Sequence, residues 1–320
     1  MDFTYTKVKW DGDPAADRDK FIGGSDIGAI LGLNPWKSAY TLWAEKTGLI
    51  KSPNISDKLQ VWLGHKLEQV VADRYEMETG RKVRQSLMSY GIEEYPYLRG
   101  HVDRLVVGEH RGLECKTTSS YNRTDYDSGD VPPAYYAQCQ FYMLVTGYQV
   151  WDIATLRDNR EFFIQEIKRD DEYIAQMLVA AATFWQCVTS VTPPAVDGTE
   201  STSDSLGHIY PGDSHADQLE GDERISAKVA DIIAIDKSIK SLTEAKNCEI
   251  NDIKEWMGNH TSAVTNSARI SYRAATTRVV IDGKRLKAEH PEIYKQYARP
   301  GTSYRTFSIR EIKPQKEEDK

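Results

Sequence analysis

The hydrophobic pattern of the chain changes its period at Gly80, and this change limits the fold more than any other feature. Before Gly80, apolar residues recur at helical spacing over about 57–79. After it come three short apolar segments separated by turn residues, 82–90, 98–107 and 111–117. Such segments are typical of strands. The pattern predicts helices around a mostly antiparallel or mixed sheet.

The rest of the chain continues both patterns. Further helices are predicted at 25–32, 38–47, 133–146 and 170–189, and a strand hairpin at 149–156 and 161–167. Residues 225–257 predict one long helix or a helical hairpin, whose heptad-like apolar spacing requires a partner surface. We therefore expect an α/β (α+β) fold in which helices flank a central mixed β-sheet.

Composition divides the 320 residues into three regions. Residues 1–192 predict the core domain. Residues 193–222 begin with two prolines and are rich in Asp, Ser, Gly and Thr, which predicts an acidic linker or mobile loop. Residues 223–320 predict a C-terminal extension, helical at first and then a small basic α/β part.

The net charge of −7 excludes a protein that is basic overall. Lys and Arg nevertheless outnumber Asp and Glu over 260–320, and a local basic region acts on phosphate within a Debye length of about 8 Å. Charge alone leaves DNA and RNA open as partners. The sequence has no apolar run near the roughly 20 residues that cross a bilayer, and its acidic start is not typical of a signal peptide. We expect a cytoplasmic protein without membrane association.

The most informative polar residues lie in the predicted strands. Alternation along a strand places Glu114 and Lys116 on one face and Cys115 on the other, and Asp103 joins them from the preceding strand. Two converging carboxylates repel each other, and a divalent cation such as Mg²⁺ relieves that repulsion. The adjacent ammonium orients or deprotonates a metal-held water, which suits metal-assisted attack on a phosphodiester. The alternative is a surface hairpin with solvated charges.

Neighbouring residues favour the catalytic interpretation. Gln138 and Tyr142 lie four residues apart, on one face of the predicted helix 133–146. Glu68 lies on the upstream helix, which we expect to face the core, where a carboxylate requires a partner such as a metal. Ser25 follows two glycines and is predicted to cap a helix whose free N–H groups form an anion site. The alternative for Ser25 is a plain capping role.

Five motifs occur in order between residues 21 and 156, and together they resemble the YqaJ/lambda exonuclease group of viral recombinases in the PD-(D/E)XK nuclease superfamily. The motifs are Gly23-Gly24-Ser25-Asp26 with Leu31-Gly32, Gly64-His65-Lys66-Leu67-Glu68, Gly100-His101-Val102-Asp103, Leu113-Glu114-Cys115-Lys116, and Gln138-Cys139-Gln140-Phe141-Tyr142. The resemblance implies a restriction-endonuclease-like PD-(D/E)XK core.

The resemblance also implies the metal ligands. Asp103, Glu114 and the backbone carbonyl of Cys115 would bind the catalytic Mg²⁺, for which Mn²⁺ is a substitute. Glu68 would support a second metal position or its water. Lys116 would activate the attacking water.

Further roles follow from the same resemblance. Gln138 would help to place Lys116 and the scissile phosphate, and Tyr142 completes the Gln-x-x-x-Tyr pattern of RecB-type relatives. His101 is a supporting candidate that ranks below the carboxylates. Arg18 precedes Ser25 by seven residues, and in lambda-type exonucleases an arginine and a serine in this region hold the 5' phosphate of the DNA end.

The residues themselves argue only for metal-assisted phosphodiester cleavage. The resemblance implies a 5'-to-3' exonuclease that resects one strand of linear double-stranded DNA, leaving a 3' overhang for phage-type recombination. It also implies a ring-shaped trimer around DNA and a phage single-strand annealing protein as partner. Two alternatives stay open: a restriction-like or structure-specific DNA endonuclease of the same superfamily, and a non-catalytic DNA-binding scaffold.

Overall fold

A computed structural model describes residues 3–9, 19–119, 131–212, 218–274, 279–299 and 307–309. The chain divides into two compact units, Met1–Pro211 and Gly212–Lys320. The first unit contains β1 (Tyr5–Lys9), α1 (Gly24–Ile30), α2 (Ala39–Lys46), α3 (Leu59–Thr79), β2 (Val83–Gln85), β3 (Met88–Ile92), β4 (Tyr95–Gly100), β5 (Arg104–Val106), β6 (Arg111–Thr118), α4 (Pro133–Thr146), β7 (Val150–Arg157), β8 (Glu161–Lys168), α5 (Asp171–Thr189) and α6 (Glu200–Ile209). The second contains α7 (Glu223–Met257), β9 (Ser262–Val264), β10 (Arg269–Ser271), α8 (Gly283–Glu289) and α9 (Pro291–Tyr297).

A five-stranded mixed sheet of order β2-β5-β6-β7-β8 forms the centre of the first unit. Its neighbouring strands are antiparallel except β6 and β7, which are parallel. Parallel neighbours require a crossover connection, and α4 lies in the one between them. A separate antiparallel sheet has the order β1-β3-β4. The predicted fold class, a central mixed sheet flanked by helices, is confirmed.

The two faces of the central sheet pack against different helices. Along β7, Trp151 and Ile153 point to the main core, which α4 and α5 share, whereas Ala154 points to a smaller core under α3. This alternation follows from the strand period of two. The even-numbered residues of β6 therefore face α4, and the odd-numbered residues face α3.

The helix α3 differs from the sequence expectation that it faces the core along its length. Its buried residues are Val71, Ala72 and Tyr75, all in its C-terminal half, whereas Leu59 and Trp62 near its start are exposed. The apolar contact with the sheet is made by the C-terminal half, through Val71 and Tyr75 against strand residues of the smaller core.

The segment 193–222, predicted as a linker or mobile loop, contains a packed helix. Thr202 and Ser205 of α6 are buried. The hydroxyl of Thr202 donates to that of Ser38 at 2.8 Å, and the hydroxyls of Thr41 and Ser205 lie 2.8 Å apart. Hydroxyl side chains that indicate a solvated linker by composition here bond to α2 and its cap, so the first unit continues to Pro211.

The second unit carries the predicted long helix as one continuous element, α7, followed by a short hairpin of β9 and β10. The described part of the predicted small α/β region consists of this hairpin and the helices α8 and α9. In the ranges that the structure describes, no helix has the length and apolar character to cross a membrane.

Candidate active site

Asp103 and Glu114 face each other across the antiparallel pair of β5 and β6. The register pairs Arg104 with Leu113, so the residue before Arg104 lies opposite the residue after Leu113. The backbone N–H of Cys115 donates a 3.0 Å hydrogen bond to Oδ2 of Asp103. This bond holds the Asp103 carboxylate beside that of Glu114.

The Glu114 carboxylate is buried and only half satisfied. Its side chain lies on the α4 face of β6, and the residue is 2% exposed. Nζ of Lys116 donates to Oε1 at 2.5 Å, whereas Oε2 has no hydrogen-bond partner among the described residues. Burial, and then the charge of Asp103, raise the pKa of Glu114 to about 7. An unpaired buried carboxylate oxygen beside a second carboxylate is the kind of donor that a hard cation such as Mg²⁺ prefers.

Lys116 contacts three groups on the α4 face. Besides Glu114, its Nζ donates to Oε1 of Gln138 at 3.1 Å and lies 4.5 Å from the centre of the Tyr135 ring. Burial opposes the charged form of Lys116, yet the negative charges of Glu114 and Asp103 raise its pKa above the ordinary value. The side chain is therefore an ammonium that offers hydrogen-bond donors to the site.

Gln138 is fixed from its other end by Tyr142. The amide Nε2 of Gln138 donates to the Tyr142 hydroxyl at 2.8 Å, across one turn of α4. The Tyr142 ring in turn packs on Gly24 of α1, where an added Cβ would lie 2.7 Å from Cε1 of the ring. The start of α1 thus lies beside the residues that position Lys116.

Glu68 lies near the other two carboxylates but is paired with Arg104. Arg104 follows Asp103 on β5, so alternation sends its side chain to the α3 face, where it forms an ion pair with Glu68. Burial and the charge of Asp103 raise the pKa of Glu68, and the charge of Arg104 opposes them. In the described part of the chain, no group of three or more His, Cys, Asp or Glu side chains is arranged to hold a metal ion. The side-chain donors that fit a cation are Asp103 and Glu114.

The helix α1 begins differently from the prediction. Gly23, not Ser25, is its N-cap, and Ser25 lies exposed in the first turn. The Asp26 carboxylate accepts a 3.0 Å hydrogen bond from the Gly23 N–H and an ion pair from Lys46 at 2.9 Å. A carboxylate one turn into the helix thus takes the capping role predicted for the serine hydroxyl.

Arg18 and His101 are the remaining residues that the sequence predicts for the site. Arg18 lies outside the described residues. His101 is exposed in the loop between β4 and β5, two residues before Asp103.

Tyr135 and Thr155 also lie at the site and were missed by the sequence analysis. Tyr135 precedes Gln138 by one helical turn, a spacing that indicates a shared face. Thr155 of β7 pairs in register with Lys116, and its buried hydroxyl has no hydrogen-bond partner among the described residues. Local sequence does not reveal that β6 and β7 are neighbours, so no signal pointed to Thr155.

Comparisons with known proteins give the following similarities. A sequence profile of the YqaJ-like viral recombinase domain matches residues 15–149. The uncharacterized protein YqaJ of Bacillus subtilis is 32% identical over 300 residues, which cover 92% of this chain and 93% of YqaJ. Protein D345L of African swine fever virus is 44% identical over 62 residues, or 19% of this chain and 17% of D345L. The crystal structure of an alkaline exonuclease from Laribacter hongkongensis superposes with a TM-score of 0.48 at 21% identity, covering 55% of this chain and 92% of the other.

Proposed function

Because the chain belongs to the YqaJ-like viral recombinase domain family, we propose that it is a metal-dependent deoxyribonuclease that resects one strand of linear double-stranded DNA in the 5'-to-3' direction. The observation that carries this proposal is the group of Asp103, Glu114 and Lys116 on neighbouring strands, with one Glu114 oxygen buried and unpaired among the described residues. The polarity and the 3' overhang rest on the family resemblance.

The proposed metal site uses Asp103, Glu114 and the backbone carbonyl of Cys115. Mg²⁺ is the proposed ion and Mn²⁺ its substitute, because both prefer oxygen ligands. When bound, the cation supplies Lewis acidity and lowers the pKa of a coordinated water. Glu68 is proposed to support the site through its charge, since its carboxylate is already paired with Arg104.

Lys116 is proposed to orient the attacking water and to balance charge on the scissile phosphate. Its raised pKa favours the ammonium, which donates hydrogen bonds rather than removing a proton. Gln138 holds the ammonium by its amide oxygen, and Tyr142 holds the amide by its hydroxyl. The two α4 residues therefore act as positioning residues for Lys116.

The 5' phosphate of the DNA end is proposed to bind near the start of α1. Gly24 contacts the ring of Tyr142, which supports the proximity of the exposed Ser25 hydroxyl to the catalytic residues. Arg18 is the second proposed contact, on the family resemblance alone. The same resemblance supports a ring-shaped trimer around DNA and a phage single-strand annealing protein as partner.

The experiment compares linear duplex with a 5' phosphate, linear duplex with a 5' hydroxyl and covalently closed circles, each with Mg²⁺ and with a chelator. Labels on the 5' or 3' end of one strand report the direction of digestion. We expect mononucleotides from the 5'-phosphorylated linear DNA in Mg²⁺, intact circles, and no digestion with the chelator.

Each other result favours a different activity. Cleavage of closed circles would replace the exonuclease by a restriction-like endonuclease of the same superfamily. Loss of label from 3' ends first would reverse the polarity. A protein that binds DNA but degrades none of the substrates, with either Mg²⁺ or Mn²⁺, would be a non-catalytic scaffold.

A further inference from the structure

The helix α7 presents an apolar stripe along most of its 35 residues. At 1.5 Å per residue it is about 52 Å long. Its exposed large apolar residues are Ile225, Ile232, Ile235, Ile239, Leu242, Ile250, Ile253 and Trp256. A helix of this length with an exposed apolar stripe requires a partner surface.

The stripe follows a heptad repeat. With Val229 at position a, the a positions hold Val229, Asp236, Thr243, Ile250 and Met257, and the d positions hold Ile225, Ile232, Ile239, Lys246 and Ile253. Met257, which ends the helix, is already buried. Apolar a and d residues define the seam of a coiled coil. The seam has two charged interruptions, Asp236 and Lys246, which are ten residues apart.

We propose that α7 pairs with α7 of a second copy of this chain, as an antiparallel two-helix coiled coil whose two-fold axis passes at the level of Ser241. In an antiparallel pair each a residue packs against a d residue of the other helix. The two-fold axis at Ser241 places Asp236 of each copy against Lys246 of the other, since the two residues are equally far from Ser241.

The same register matches the rest of the seam. Its other layers join Val229 to Ile253, Ile232 to Ile250, and Ile239 to Thr243, each pair occurring twice about the axis. Ile225 lies opposite Met257, which is already buried, so the paired seam runs from Val229 to Ile253. At the e and g positions, which flank the seam, Leu242 of one helix lies opposite Leu242 of the other. This contact covers a side chain that is 70% exposed. Lys240 also meets its own copy, but at a solvated edge, where a like-charge pair costs little.

Other pairings of two α7 helices are worse. A parallel pair in register opposes Asp236 to Asp236 and Lys246 to Lys246 within the seam, and desolvated like charges cost several kcal/mol. An antiparallel pair shifted by one heptad places both charges against uncharged residues, which leaves them without ionic partners in the seam. Charged residues in a seam specify register at a cost in stability, and here they select a single arrangement.

The first test measures the mass of the full-length protein by sedimentation velocity over a range of concentrations. The variant Asp236→Lys opposes lysines in both charged layers, as Lys246→Asp opposes aspartates. We expect either change to raise the dimer Kd at least ~100-fold, and the double variant to restore the wild-type mass. The matched control is Asp231→Lys, which makes the same charge change on the solvated side of α7 and should leave the mass unchanged.

The outcomes separate the possible occupants of the stripe. A wild-type protein whose mass halves with either single change and recovers in the double variant supports the pairing. Pairing predicts a wild-type mass of two chains, or of six where α7 joins two of the ring-shaped trimers proposed above. A mass of one or three chains overturns it, as expected if the stripe binds a different protein or another part of the same chain. Failure of the double variant to recover also overturns it.

The second test does not depend on the charged residues. In a background with the exposed Cys248 replaced by serine, Val229→Cys and Ile253→Cys are prepared separately and oxidised alone or after mixing. The two Val229 positions of an antiparallel pair are about 36 Å apart along the axis, so neither variant links to itself, whereas the mixture gives a disulfide-linked dimer. Self-linking by either variant alone, or no link in the mixture, overturns the proposal.

Discussion

Replacing Gly24 by alanine tests the contact that joins α1 to the catalytic face of α4. The new Cβ would lie 2.7 Å from Cε1 and 2.8 Å from Cζ of Tyr142. Tyr142 is only 5% exposed and its ring centre is 5.2 Å from that of Trp151, so the ring has little room to move away. Overpacking of this kind lowers the free energy of unfolding by about 1–3 kcal/mol. Gly24 does not have a positive φ, so backbone strain adds nothing.

The assay is urea unfolding of Gly24→Ala, of Tyr142→Leu, and of the double variant. The smaller leucine removes the atoms that clash, so the double variant should be more stable than the sum of the single effects by at least ~1 kcal/mol. Gly207→Ala is the control, because nothing lies within 4 Å of its Cβ and alanine favours the helix by about 1 kcal/mol. Additive effects of the two single changes would show that the Tyr142 ring does not confine a methyl group at position 24.

Three further outcomes follow from the site and its strands. The apparent affinity for Mg²⁺, measured by calorimetry, should fall about tenfold from pH 8 to pH 6. The reason is that Glu114, with its pKa near 7, must lose its proton to bind the cation. A constant affinity over this range would contradict a role of Glu114 as a metal ligand. Gly112→Ala should lower the free energy of unfolding by about 1–3 kcal/mol, because the new Cβ would lie 2.3 Å from the Trp151 ring. An unchanged urea midpoint would show that β6 and β7 have room to separate. Ser25→Ala should reduce the preference for 5'-phosphorylated over 5'-hydroxyl duplex in digestion rate, and an unchanged preference would remove Ser25 from the proposed phosphate site.

The parts of the site that could be predicted are those that depend on one element. Strand alternation alone places Glu114 and Lys116 on one face, and the structure joins them by a 2.5 Å ion pair. Helical spacing alone places Gln138 beside Tyr142, and the two are hydrogen-bonded. In both cases the periodicity of a single element is sufficient.

The parts that could not be predicted depend on competition between elements. Glu68 lies near Asp103, but its ion pair with Arg104 of β5 depends on the packing of α3 against the sheet. Ser25 has the composition of an N-cap, but Asp26 reaches back to the Gly23 N–H first. Composition likewise assigned α6 to a linker, because it does not show that the Thr202 hydroxyl bonds to Ser38, the N-cap of α2, or that the Ser205 hydroxyl bonds to Thr41.

Lys116 is proposed to act with Asp103 and Glu114 in cleaving the DNA backbone. The most direct measurement is the rate at which the Lys116→Ala variant degrades 5'-phosphorylated linear duplex in Mg²⁺, with DNA affinity determined on the same preparation. We predict a rate lower by about 10²–10⁴-fold and DNA binding close to that of the wild type. Degradation at the wild-type rate by a variant that lacks this amine would contradict it.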